Sequence, residues 1–300
     1  MRPGLAFCLA LVTVAAARPA GAQDLVVPDA TQFPERGAWL TPEGYVLHSV
    51  SMAERDPGPH GTSLVTLTEV RVPLGPFALR SSFGGALFVV SDPDAGFRSG
   101  HLFSPELGLE TDLRGSNFRI VLGASSNVPV GAAEVQESVP MRAPFPITDE
   151  TLIEFAELEL RQPSGGWDAR LVPRDTWVGR LSMAAEVNLD PYVVVGAEAG
   201  MELWIGLGDG AVTGGFTSRI EAGARFWGAS LAGLRSTLVL RPTEGWYGAG
   251  DLEPVFGLEP FLRLVPPTEP VAPLIELSTF ADLTSELSEL TVRAALGVVF

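Results

Sequence analysis

The chain has 300 residues, 36 acidic against 20 basic side chains, a formal net charge of -16 and one cysteine. So acidic a balance excludes gripping nucleic acid or an anionic lipid surface by simple attraction, and a lone Cys8 excludes an internal disulfide or a multi-cysteine metal site. Apolar residues make up 46% of the sequence, yet beyond the N-terminus no eighteen of them run uninterrupted, which argues against helical membrane spans.

The N-terminus reads as an address. Met1-Arg2 is a short positive start, Leu5 to Ala17 is almost wholly apolar, and Ala20-Gly21-Ala22 is a small-x-small cleavage site. This predicts a secretory signal peptide over residues 1–22, too short in its apolar part to span a bilayer. Cys8 lies inside it, out of context for a lipoprotein attachment site. The remaining chain of about 278 residues therefore has no thiol nucleophile, and loss of Arg2 and Arg18 moves its formal charge to -18. Every basic residue is Arg, and no function is read from that. Residues 23–42 are polar, proline-containing and without a period. They read as an extended periplasmic segment, with a plug tucked into a barrel lumen as the alternative.

From Glu43 onward twelve candidate strands follow, over 43–53, 62–73, 77–91, 101–113, 117–127, 176–189, 192–208, 213–228, 229–241, 253–265, 272–283 and 289–300. Most exceed the roughly nine residues that a tilted strand needs to cross a bilayer, whereas soluble strands run to about five or six. In 213–228, Thr213, Thr217, Arg219, Glu221, Gly223 and Arg225 share one face, and Phe216, Ser218, Ile220, Ala222, Ala224 and Phe226 share the other. A one-residue slip would turn three charges into lipid, at about 2–4 kcal/mol for each Arg near the midplane. In 192–208, Val193, Val195, Ala197, Ala199, Met201, Leu203 and Ile205 oppose Val194, Gly196, Glu198, Gly200 and Glu202; in 176–189, Trp177, Leu181, Met183, Ala185 and Val187 oppose Arg180, Ser182, Glu186 and Asn188. A helix would scatter these charges, so the two-residue period decides for strands.

Alternate connections are short and turn-like: Pro73–Gly75, Arg114–Ser116, Asp190-Pro191, the bend near Gly228, and Pro266–Pro270. The others include Glu54–Gly61, Ser91–Gly100, Pro242–Leu252 and the very long 128–175, with Gly208–Val212 short as well, which breaks no rule. Short periplasmic turns and longer extracellular loops produce this asymmetry in a barrel. Within the long loop, Thr151 to Leu160 reads either as an acidic amphipathic helix or as a strand paired back through Pro163–Gly166, and the second option makes fourteen strands.

The last strand places Leu290, Val292, Ala294, Leu296, Val298 and Phe300 on an apolar face opposite Glu289, Thr291, Arg293, Ala295, Gly297 and Val299. With the signal peptide, it resembles the closing strand of Gram-negative outer-membrane β-barrel proteins. The stretch Arg119–Gly123 with Val128–Gly131 also looks like strand-to-loop stretches in outer-membrane transporter barrels. The resemblance covers 43–300. It implies an all-β, closed antiparallel transmembrane barrel in the cell outer membrane and in contact with its lipids. It also implies an assembly signal at Phe300 read by the barrel-assembly machinery, and passive passage of a small-molecule solute.

The catalytic inventory is thin. Phospholipase and lipid A deacylase barrels of the outer membrane carry a His-x-Ser pair, whereas His48, His60 and His101 are followed two residues later by Val50, Thr62 and Phe103. There is no Gly-x-Ser-x-Gly elbow, metal-ligand pair or phosphate-cradling loop, so no catalytic residue, cofactor or metal is expected. The constellation that stands out is the inward charge: Arg180, Glu186, Glu198, Glu202, Arg219, Glu221, Arg225, Arg263 and Arg293, joined by Arg235, Arg241, Glu259, Glu276 and Asp282. It reads either as a polar pore or as paired charges filling a narrow interior. Glu198, Glu202, Arg219 and Arg225 are the expected constriction. A channel for small solutes is the first reading, a closed structural or partner-binding barrel the second, and a membrane hydrolase the third.

Overall fold

A computed structural model describes residues 39–54, 61–90, 97–129, 176–206, 212–242, 252–267, 271–283 and 290–300. Its strands are Tyr45–Glu54 (β1), Gly61–Leu74 (β2), Phe77–Val90 (β3), Phe97–Leu102 (β4), Glu106–Arg114 (β5), Phe118–Asn127 (β6) and Thr176–Asn188 (β7). They continue with Val193–Gly206 (β8), Val212–Trp227 (β9), Ser230–Pro242 (β10), Leu252–Leu264 (β11), Ala272–Asp282 (β12) and Leu290–Val299 (β13). All ladders are antiparallel between neighbours, and β1 pairs with β13 from Tyr45↔Val299 to Glu54↔Leu290, so the sheet closes on itself. Closure leaves no edge to be satisfied by lipid.

Thirteen segments make twelve staves, because β4 and β5 are two halves of one. β3 pairs through Gly85↔Leu102 with β4 and through Ser82↔Glu106 with β5. Three steps on β3 thus face four on its partner, a one-residue bulge at Phe103–Pro105 that reverses which parity points inward. A single uninterrupted strand over 101–113 was expected, and the bulge replaces it. The fourteen-strand alternative finds no place in the wall, since β6 pairs directly with β7 from Phe118↔Val187 to Ser126↔Gly179. The helix or strand expected at Thr151–Leu160 lies outside the described residues.

The strand faces sort by solvent. Leu181, Met201, Ile220 and Leu296 stand outward with 63–71% of their surface exposed, whereas Arg71, Arg119, Glu186 and Glu276 point inward and are buried. Among the described side chains no strand turns an Asp, Glu or Arg outward. This inverts the distribution of a soluble protein and suits a wall in lipid around a polar interior. Phe77, Phe118, Tyr192, Trp227 and Phe300 are exposed together at the end with the short turns, forming an interfacial aromatic girdle. Two of those turns need glycine: Gly75 (φ 68°) and Gly228 (φ 58°) occupy the first central position of two-residue hairpins, where a positive φ matches strand twist.

Candidate functional site in the barrel lumen

The lumen is lined by ion pairs that run between staves. On β9–β12, Arg235 lies 2.8 Å from Glu276, 3.2 Å from Glu221 and 3.4 Å from Glu259, and Arg263 lies 2.6 Å from Glu276. Phe261 lies beneath this cluster, its ring centroid 4.0 Å from the Arg235 guanidinium, close enough for a cation–π contact. Across the barrel, Arg71 holds Glu110 at 2.7 Å and Asp112 at 3.4 Å, Arg119 holds Asp112 at 3.0 Å, and Arg80 reaches Glu110 at 3.3 Å. Glu69 lies 3.7 Å from Arg80 and 3.5 Å from Arg293, so β13 joins the same network. A third group sits on β5, β7 and β8, toward the long-loop ends of β7 and β8. Arg180 bridges Glu106 at 2.9 Å and Glu202 at 3.1 Å, and the Trp204 indole N–H donates to Glu202 at 2.8 Å. Dense pairing of this kind is what a low-dielectric interior demands of buried charges.

One pair differs. Arg219 and Glu198 are 3.8 Å apart, with 36% and 39% of their side chains exposed, while the paired charges above are mostly buried. They are held on adjacent strands in direct register, Glu198↔Arg219. They also stand where two cavities meet. A mid-barrel cavity of about 50 Å³ and a larger one of about 120 Å³ toward the short-turn end share Arg80, Glu110, Ser182, Glu198 and Arg219 in their linings. The first adds the hydroxyls of Ser125, Thr217 and Thr237, and the second adds Leu40, Thr41, Arg119 and Arg263.

Of the four residues expected to form a constriction, the structure brings two together. Glu202 is drawn into the Arg180 group, away from Arg219. Arg225 lies at the short-turn rim, donating to the Asn188 side chain and, at 3.1 Å, to the Pro191 carbonyl. Glu186, Glu221, Arg263 and Arg293 all point inward as the alternation predicts. Sequence reasoning missed Glu69, Arg71, Arg80, Glu106, Glu110, Asp112 and Arg119. Their signal is real in β5, where Glu106, Gly108, Glu110 and Asp112 alternate with Leu107, Leu109, Thr111 and Leu113.

Of residues 23–42, those from Trp39 onward are described, and they run inside the wall instead of leaving it. The Leu40 and Thr41 amides donate to the two carboxylate oxygens of Glu186 at 3.0 and 3.1 Å. Arg119 donates to the Thr41 carbonyl at 2.6 Å, Arg263 to the Leu40 carbonyl and Arg71 to the Glu43 carbonyl. The Leu40 side chain packs among Val194, Leu231 and Phe261. Gly196 makes the room, since a Cβ there would stand 2.6 Å from Leu40 Cδ1. Because β1 and β8 are on opposite sides of the ring, residues 40–44 form a strap across the lumen.

Outside the wall, the His48 Nδ1 lies 2.9 Å from Thr68 Oγ1 on the outward face. Neighbouring strands supply the two groups, so a search for His-x-Ser along one strand passes over them. By register Leu296 flanks His48 and Phe83 flanks Thr68. Among the described side chains no carboxylate on that face orients the ring, so the pair lacks the third member of a nucleophile–base–orienter set. No group of three His, Asp or Glu among the described residues is placed to hold a metal ion.

Neither a protein-family model nor a curated protein sequence matches the chain. Solved structures do. An outer-membrane channel from Pseudomonas putida F1 is similar with a TM-score of 0.50 at 11% identity, over 88% of this chain and 98% of that one. The translocator domain of the autotransporter NalP from Neisseria meningitidis matches at 0.46 and 10% identity over 86% and 88% of the two chains. The NanC porin matches at 0.45 and 10% over 84% and 98%. With the closed ring, the apolar exterior and the aromatic rim, the first of these likenesses defines the class: the chain has the fold of an outer-membrane β-barrel.

Proposed function

We propose that the barrel carries small polar solutes passively across the outer membrane, along a path through the two cavities and past Glu198 and Arg219. The observation that supports this best is that pair. It is charged, set at the junction of the two cavities and open to luminal water, where the surrounding charges are packed against the wall. Opposed charges at a narrow point orient water and dipolar solutes without binding them tightly, which passage requires. The Pseudomonas putida F1 barrel of the same fold is itself a channel, which agrees with this reading. Export by a signal peptide at residues 1–22, and insertion through recognition of Phe300 by the barrel-assembly machinery, belong to the same proposal. Purified protein in planar bilayers is expected to show small steps of conductance, and in liposomes to admit glycine-sized solutes. Silent bilayers and impermeable liposomes would contradict the proposal.

A second reading is favoured by the strap. Residues 40–44 cross the lumen and are held by charges on several staves, as expected of a barrel kept closed. The readings separate on strap variants: a closed structural barrel stays impermeable when the strap is loosened, and a channel becomes more permeable.

A further inference from the structure

The wall holds the strap mainly by its backbone, and the pattern of contacts is the pattern of a peptide. Consecutive amides, those of Leu40 and Thr41, donate to the two oxygens of one carboxylate, Glu186. The carbonyls of the same two residues accept from two guanidiniums, Arg263 and Arg119. Charge-assisted bonds to main-chain groups give affinity without regard to side chain. A separate apolar socket of Val194, Leu231 and Phe261, opened by Gly196, takes one aliphatic side chain. A sugar's hydroxyls could meet the same carboxylate and guanidiniums, but a sugar has no aliphatic branch to fill the socket, and an inorganic ion has no side chain at all.

The seat is also built to outlast its occupant. Arg119 keeps Asp112 at 3.0 Å, Arg263 keeps Glu276 at 2.6 Å, and Glu186 remains 3.9 Å from Arg119. Withdrawal of the strap therefore leaves none of these three charges without an opposite one, and the groups stay in place to receive another backbone. The seat lines the larger cavity, which continues to the Glu198–Arg219 junction.

We propose that this seat is a binding site for a bent stretch of peptide backbone, occupied here by the chain's own Leu40–Thr41, and that short peptides with a central aliphatic residue are solutes that compete for it. The identification of such peptides as solutes rests on the channel reading; their binding does not.

The test measures binding and passage separately. Leu40→Asp places a carboxylate in the apolar socket beside Glu186 and frees the seat. Acetyl-Trp-Leu-Thr-amide, copying Trp39–Thr41, is titrated by calorimetry into folded wild-type and Leu40→Asp protein in detergent. Alongside it runs the same peptide N-methylated at Leu and Thr, which lacks both donors to Glu186. Expected is binding to Leu40→Asp at least roughly tenfold tighter than to wild type, weakened roughly tenfold or more by N-methylation, as loss of hydrogen bonds to a charged group implies. Glu186→Gln in the Leu40→Asp background should weaken it as well. If Leu40→Asp does not fold, Leu40→Gly takes its place. Equal affinity for the plain and N-methylated peptides, or no binding to a strap-released barrel, overturns the seat. Glycine flux through the same proteins in liposomes reports on the channel independently, so an impermeable barrel that binds peptide sinks the channel alone.

Discussion

Arg235 lies 4.0 Å over the ring of Phe261, and the same guanidinium is the shared partner of Glu221, Glu259 and Glu276. One cation thus pairs with carboxylates from β9, β11 and β12 across an apolar floor. Replacing it by Met leaves Arg263 to balance them. Arg235→Met is expected to destabilise the barrel by roughly 3–5 kcal/mol, the usual result of stripping one partner from a buried ionic set. Urea unfolding in lipid vesicles measures it, and adding Glu276→Gln should recover part of the loss.

The open pair at the cavity junction sets ion preference. Glu198→Gln leaves Arg219 without its 3.8 Å counter-charge and should move the reversal potential under a salt gradient toward anions. Arg219→Gln should move it toward cations. Opposite shifts are the expected outcome, and two shifts of the same sign would place the pair off the conduction path.

The strap should limit passage. Leu40→Ala removes side-chain atoms from a socket in which Leu40 is only 4% exposed. Truncating a buried Leu costs about 2–5 kcal/mol, and here that cost falls on the seated strap while the barrel wall is untouched. Single-channel recordings should show larger or longer openings than wild type. Unchanged openings would mean that residues 40–44 do not obstruct the path.

Register can be tested from outside. Ile220 is 63% exposed on the outward face and Arg219 points inward beside it. Ile220→Arg should cost about 2–4 kcal/mol if that position meets hydrocarbon, whereas Ile220→Leu should be nearly neutral. Vesicle unfolding distinguishes the two.

These positions were legible in the sequence to very different degrees. β8 and β9 alternate without interruption, and lipid on one side with charge on the other pins their register, so Glu198, Arg219 and Ile220 fall where parity puts them. β2 gives no such guide. Val65 and Leu67 face inward with Glu69 and Arg71 because Phe103 packs on them, so apolar residues occupy both faces and the period is lost. The bulge at Phe103–Pro105 reverses parity within one stave, which hid Glu106, Glu110 and Asp112 behind a strand begun too early. Nor does Trp39-Leu40-Thr41 have a period to read. Its socket and clamp come from residues 78 to 223 positions away, and only closure of the ring assembles them. Glu202 and Arg225 share a face with Glu198 and Arg219, but parity says nothing about height along the axis or about which neighbour a long side chain reaches. Arg180 and Asn188 decided those two.

The central claim is that water reaches Glu198 and Arg219 along a continuous path, with lipid on the other side of the wall. Since Cys8 is the sole native cysteine, a Cys8→Ala background carrying Arg219→Cys, Glu198→Cys or Met201→Cys tests it directly. A charged, membrane-impermeant thiol reagent applied during bilayer recording should alter the current through the Arg219→Cys and Glu198→Cys proteins. It should leave the Met201→Cys protein, whose introduced thiol faces acyl chains, unchanged. Reaction at position 201 with none at 198 or 219, or no current in any of the three variants, would contradict the account.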